Sequence, residues 1–217
     1  QQNKPVNVSE EAIRRATAAY YGMIETVDEY FGKVIEKIKS LGENIDDWII
    51  IYTSDHGEML GQHGIWEKTR FYDASVKVPL FIRCPVRFKP RVVNQNVNLC
   101  DIFATLCDLA EIPIPENLDS RSLVPLMKGN SENWTNETIS QLANCHLMIK
   151  WDSLKYQYYG ENIPEVLFDL EKDPGETANF ANDPAYSKII ARFRARLADL
   201  GFCPNAVTHY KNAGYSK

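Results

Sequence analysis

The residues best suited to chemistry lie in one short run, Ser54-Asp55-His56-Gly57-Glu58-Met59-Leu60-Gly61-Gln62-His63-Gly64. Asp55 and His56 are adjacent, and the glycines around them ease the usual backbone limits. A carboxylate supplies charge to a cation and a neutral imidazole supplies a second ligand. Lys68 follows in Trp66-Glu67-Lys68-Thr69-Arg70. An ammonium is a compact point charge suited to an anionic ester oxygen. The same residue types also make an ordinary polar loop, with Asp55 capping a turn, the histidines in water and Lys68 solvated.

What must position this run is the segment before it. Trp48-Ile49-Ile50-Ile51-Tyr52-Thr53 is continuously apolar and β-branched, as expected of a strand buried on both faces of an α/β sheet. In open α/β sheets ligands bind beyond the carboxyl ends of strands, which is where Asp55 begins. Upstream, Ser9 is an N-cap candidate followed by Glu10 and Glu11. Apolar residues then recur in steps of three and four from Ile13 to Leu41, and Gly42 is a natural stop. That spacing predicts a long amphipathic helix covering a sheet, and helix plus strand make half of a βαβ unit.

Downstream, Val78-Pro79-Leu80-Phe81-Ile82 is a strand candidate whose proline suits an edge or a first position. Leu99 to Ala110 reads as a helix, ended by Pro113 and Pro115, and 122–127 as a short helical turn. After Gly129 the texture changes. Residues 130–136 are rich in turn formers, and short strands are expected near 138–143, 146–151, 154–159 and 166–170. A helix over 185–200 closes the pattern. The expected fold class is α/β, with an α/β part over 1–129 and a small α+β subdomain over 130–217.

Bulk properties exclude some partners. With 44% hydrophobic and 24% charged residues, the 217-residue chain has material for a core. A net charge of −5 leaves no basic footprint, so no nucleic-acid partner is expected. No apolar run approaches the roughly 20 residues of a membrane span, so no membrane partner is expected either. Five cysteines show no metal-type spacing. Cys100 and Cys107 on one helix would be separated by about 10.5 Å of rise, too far for a disulfide. Reduced thiols are expected. Sequons stand at Asn7, Asn133 and Asn136.

The order TSDHGEMLGQHGIWEK, then FYDASVKVPLFIRCP, resembles the second motif block of the type I sulfatases in the alkaline-phosphatase-like superfamily. The resemblance continues through VNLCDIFATLCDLAEIPIP, LDSRSLVPLMKG and VLFDLEKDPGETANFANDP. It spans nearly the whole chain. It implies the C-terminal part of an alkaline-phosphatase-like α/β/α domain, followed by a small antiparallel-sheet subdomain with a C-terminal helix.

By that resemblance Asp55 and His56 match the second pair of metal ligands. Lys68 matches the lysine that contacts the sulfate and helps neutralise the leaving group, and His63 faces the substrate pocket. The implied ion is Ca²⁺; Mg²⁺, Mn²⁺ and Zn²⁺ stay open, because an imidazole ligand is out of character for an ion that prefers oxygen. Sulfatases of this family use a formylglycine made within C/S-x-P-x-R, whose hydrated form attacks sulfur. That motif is absent here: Cys84-Pro85-Val86-Arg87 has its proline in the wrong place. The Asp-Asp metal pair of the first block is also absent. The expectation is a sulfatase fragment that hydrolyses sulfate esters of a small molecule or carbohydrate only when joined to the missing N-terminal half.

Such a cut would strip strand 48–53 of neighbours, so the isolated chain is expected to be poorly stable, or to pair with that half or with itself. Periplasmic, secreted or lysosomal placement is implied by the family. The rival readings are a phosphodiesterase or phosphonate monoester hydrolase of the same superfamily, and a non-catalytic binding module.

Overall fold

The structure is a computed structural model, which describes residues 8–143 and 146–202. The sequon at Asn7, and Cys145 and Cys203, lie outside the described residues. The chain forms two compact units, residues 1–91 and 92–217.

In the first unit, α1 runs from Glu10 to Ser40 over 31 residues. The Ser9 side chain accepts from Ala12 N, Glu10 and Glu11 sit in the first turn, and Lys37 and Lys39 occupy the last. Each choice complements the helix dipole. Strand β1, Ile50–Thr53, pairs antiparallel with β2, Leu80–Arg83, in a register that sets Tyr52 opposite Phe81. Phe31 of α1 meets both rings edge-on, at 5.6 and 6.2 Å. The short helix α2, Asp73–Val76, precedes β2.

The expectation of a strand buried on both faces is not met. Residues 50–53 are half-buried or exposed, and Trp48 and Ile49 are exposed. The reason is that β2 is the only sheet neighbour of β1 among the described residues. Burying both faces of a strand takes a wider sheet with a layer on each side. Likewise α1 is amphipathic in sequence but has no buried residue, and Ile24, Val27 and Val34 of its apolar stripe are exposed. β2 begins directly after Pro79, where a missing N–H costs the ladder nothing.

The second unit contains α3 (Asp101–Leu109), α4 (Val124–Met127), a four-stranded meander and α5 (Ser187–Asp199). The strands β3 (Glu137–Leu142), β4 (His146–Trp151), β5 (Leu154–Tyr158) and β6 (Val166–Asp169) pair antiparallel in chain order. Leu147, Ile149, Tyr156 and Leu167 pack against Ile190, Phe193 and Leu197 of α5 to form the core. Tyr156 and Phe193 stack at 5.2 Å. Burying side chains of this size stabilises by about 1.5–3 kcal/mol each. Between the two neighbours of Tyr156 on β5, Lys155 is fully buried and bonded to Glu176 at 2.6 Å.

The division between units falls at Arg91/Val92, upstream of the compositional change after Gly129. Hydrogen bonds explain why 92–129 go with the sheet. Asn96 N donates to Asn136 Oδ1 and Asn98 Nδ2 to the Ile139 carbonyl. Trp134, in the turn-rich stretch, donates its Nε1–H to the Asn96 carbonyl and lies under the Arg121 guanidinium. The described cysteines Cys84, Cys100 and Cys107 are free thiols.

Candidate metal edge and anion site

The loop leaving β1 is held by its own polar groups. The Ser54 hydroxyl donates to the His56 carbonyl at 2.8 Å, and His56 N–H donates to Asp55 Oδ1 at 2.9 Å. The second carboxylate oxygen of Asp55, Oδ2, lies 3.5 Å from His56 Nε2. His56 Nδ1 lies 2.8 Å from the Gly57 carbonyl. A carbonyl only accepts, so Nδ1 carries a proton, and in the neutral form of the ring the lone pair is on Nε2. A ring nitrogen donating to a backbone carbonyl is the usual brace of a metal-binding histidine.

In that form Nε2 and Oδ2 are two acceptors side by side. In the neutral ring their lone pairs oppose each other unless a positive charge lies between them. The Asp55 side chain is 84% exposed, so the pair opens outward. The donor set fits a divalent cation in part. Among the described residues no group of three or more His, Cys, Asp or Glu could hold a metal, so a cation at this pair would need further ligands.

Lys68 and His63 are placed by a loop that closes on itself. Glu58 Oε1 accepts from Glu67 N at 2.7 Å and from Leu60 N at 3.2 Å. Met59 N donates to the Glu67 carbonyl at 2.9 Å, and the Met59 side chain is fully buried. Gly61 takes φ +85° with Trp66 packed on its Cα, a turn in which a side chain would be strained. His63 is exposed at the far end with φ 54°, and its ring stacks on Tyr72 at 4.0 Å. A bulky residue in left-handed backbone persists only where its surroundings impose it, and such positions cluster at functional sites. Lys68, one residue past the closure, is exposed.

Helix α2 joins the two parts. Gly57 N donates to the Ser75 carbonyl at 2.7 Å, so close that a Cβ on Gly57 would lie 2.0 Å from the Ala74 carbonyl oxygen. Only glycine fits there without displacing α2. The buried Ser75 hydroxyl donates to the Lys68 carbonyl. Asp55 and His56 are thus brought together at contact distance, while Lys68 and His63 are tied to the same framework through backbone and ring contacts. Sequence reasoning missed Gly57 as a close-approach position, Glu58 as the loop clasp, and Tyr72 and Ser75 as supports. Glycine at 57 was a readable signal. The other three were not, since their partners are 9 residues away along the chain or were fixed only by the loop path.

Comparison with known proteins identifies the family. The sulfatase family profile matches residues 1–112, and that of the N-sulphoglucosamine sulphohydrolase C-terminal region matches residues 61–201. An arylsulfatase of Clostridium perfringens is 32% identical over 86% of this chain and 40% of its own length. A choline-sulfatase of Rhizobium meliloti is 37% identical over 82% of this chain and 35% of its own length. Among solved structures, a phosphonate monoester hydrolase of Silicibacter pomeroyi superposes with TM-score 0.82 at 28% identity, covering 94% of this chain and 44% of that one. The chain thus spans less than half the length of the relatives it matches. Two overlapping profiles cover it almost from end to end, and on that basis the chain belongs to the sulfatase family, of which it carries the C-terminal portion.

Proposed function

We propose that this chain supplies one edge of a cation site and the anion-contacting lysine of a sulfate-ester hydrolase. The single observation that carries the proposal is the His56 ring: Nδ1 is committed to the Gly57 carbonyl, which turns the free Nε2 lone pair beside Asp55 Oδ2 at 3.5 Å. Asp55 and His56 would hold a divalent cation, with Ca²⁺ first and Mg²⁺, Mn²⁺ and Zn²⁺ as alternatives. When bound, that cation supplies Lewis-acid polarisation of the ester oxygens.

The residues of this chain do the rest by charge and position. Lys68 offsets negative charge growing on the transferring group and the departing oxygen. His63, its ring held on Tyr72, offers an imidazole able to hold or give a proton near that oxygen. The nucleophile, a formylglycine by family resemblance, and the remaining metal ligands belong to the part of the family domain not represented here. This chain by itself is therefore expected to be inactive. The arylsulfatase and choline-sulfatase relatives support a sulfated small molecule or carbohydrate as substrate class.

The likeness to a phosphonate monoester hydrolase favours a second reading, in which the same edge serves a phosphonate or phosphate ester. Assaying the complete enzyme with nitrophenyl sulfate beside phenyl phosphonate esters separates the two. A preference for sulfate that falls on the order of a hundredfold in Lys68→Ala supports the proposal. A preference for phosphonate would replace it with the second reading.

A further inference from the structure

Ser75 has no place in the chemistry just described, yet it touches both halves of the site. Its backbone carbonyl accepts from Gly57 N at 2.7 Å, directly after Asp55 and His56. Its hydroxyl donates to the carbonyl of Lys68 at 2.5 Å. The residue is 2% exposed, so that hydroxyl has no water to turn to and its bond is not easily exchanged. The Lys68 carbonyl also accepts from Arg70 N at 2.9 Å, which fixes the peptide plane from a second side.

Other polar side chains nearby do not reach the Lys68 peptide. Glu58 clasps 60 and 67, and Tyr72 backs His63. Among these side chains Ser75 is the one bonded to the Lys68 peptide itself, while its carbonyl holds Gly57, the residue after His56. A lysine side chain carries much conformational freedom, so a fixed backbone origin limits where its ammonium can reach. We infer that Ser75 is a positioning residue: its hydroxyl sets the backbone of Lys68 relative to the Asp55-His56 edge, and so sets where positive charge meets the substrate anion. The inference rests on the proposed function, because it takes Lys68 to be the anion contact.

The two bonds of Ser75 can be separated. Ser75→Ala removes the hydroxyl and keeps the carbonyl on Gly57. In the complete enzyme it is expected to lower kcat/KM for a sulfate ester roughly five- to tenfold. Cation affinity, read by calorimetric titration with Ca²⁺ and Mn²⁺, should stay within about twofold, since the Gly57 bond is untouched. The decisive comparison is the double-mutant cycle with Lys68→Ala. If Ser75 acts through Lys68, Ser75→Ala costs nothing further in the Lys68→Ala background. An equal loss in both backgrounds would mark a merely structural role and overturn the inference.

If Lys68→Ala itself leaves kcat/KM unchanged, the proposed function fails at Lys68, and that result is distinct from additivity in the cycle. Should Ser75→Ala not fold, Ser75→Cys fills the same volume with a weaker donor and is read in the same cycle. Failure of both to fold would assign the hydroxyl to folding and overturn the inference.

Discussion

The two units of this chain solve opposite problems. The second is built like a small domain: a meander of four strands, a helix across it, and a core of Tyr156, Leu167, Ile190 and Phe193 with almost no exposure. The first carries the candidate chemistry yet buries few apolar side chains, Met59, Phe71 and Cys84 among them. Its candidate site is held instead by directed bonds, from Glu67 to Glu58, from Gly57 to Ser75 and from Ser75 to Lys68. Burial gives stability without direction, whereas hydrogen bonds give direction with little net stability. A site needs the second kind of order, and the candidate residues are held by bonds of that kind.

The contrast can be broken most forcefully in the core. Phe193→Ala should cost about 3–5 kcal/mol in the second unit, seen as a lower midpoint in denaturant. Next comes the buried ion pair, Lys155 with Glu176. Glu176→Gln removes one charge of a desolvated pair and should cost about 3 kcal/mol by the same measurement.

In the first unit the expected effect falls on a different property. Gly57→Ala forces a Cβ against the Ala74 carbonyl. It should weaken cation binding about tenfold or more while the denaturation midpoint of the second unit stays put. Equal damage to both would show that the site depends on global stability rather than on local bonds.

Acid provides a finer probe. The hydrogen bonds from Arg194, ahead of other causes, hold the Glu165 carboxyl below the usual carboxylate range. A lowered folded-state value stabilises above the ordinary glutamate value of about 4.3, and that contribution is lost as pH falls through the folded value. Arg194→Ala should therefore flatten the acid limb of stability below about pH 4.3 and leave its slope near neutrality unchanged. Smallest of all, Val27→Ser on the exposed stripe of α1 should change thermal stability by less than about 0.5 kcal/mol.

Much of this was legible in the sequence because it is local. Ser9, the acidic first turn and the three-four spacing specify α1. Short runs separated by turn residues specify β3 to β6, and the adjacency of Asp55 and His56 already suggested a ligand pair. Burial was not legible. A β-branched run such as 48–53 reads as a buried strand only if layers exist on both sides, and periodicity within a strand carries no record of its neighbours. Nor could spacing disclose that Asn96 and Asn98 fasten 92–129 to the sheet, or that Ser75 reaches Lys68. Those are contacts of the folded path.

The proposed function makes Asp55 and His56 one edge of a cation site serving ester hydrolysis. It is tested most directly by calorimetric titration of Ca²⁺ and Mn²⁺ into the metal-stripped complete enzyme, beside Asp55→Ala and His56→Ala. Both substitutions are expected to weaken binding at least about tenfold and to lower sulfate-ester turnover with it. Unchanged cation affinity in both variants would contradict the claim.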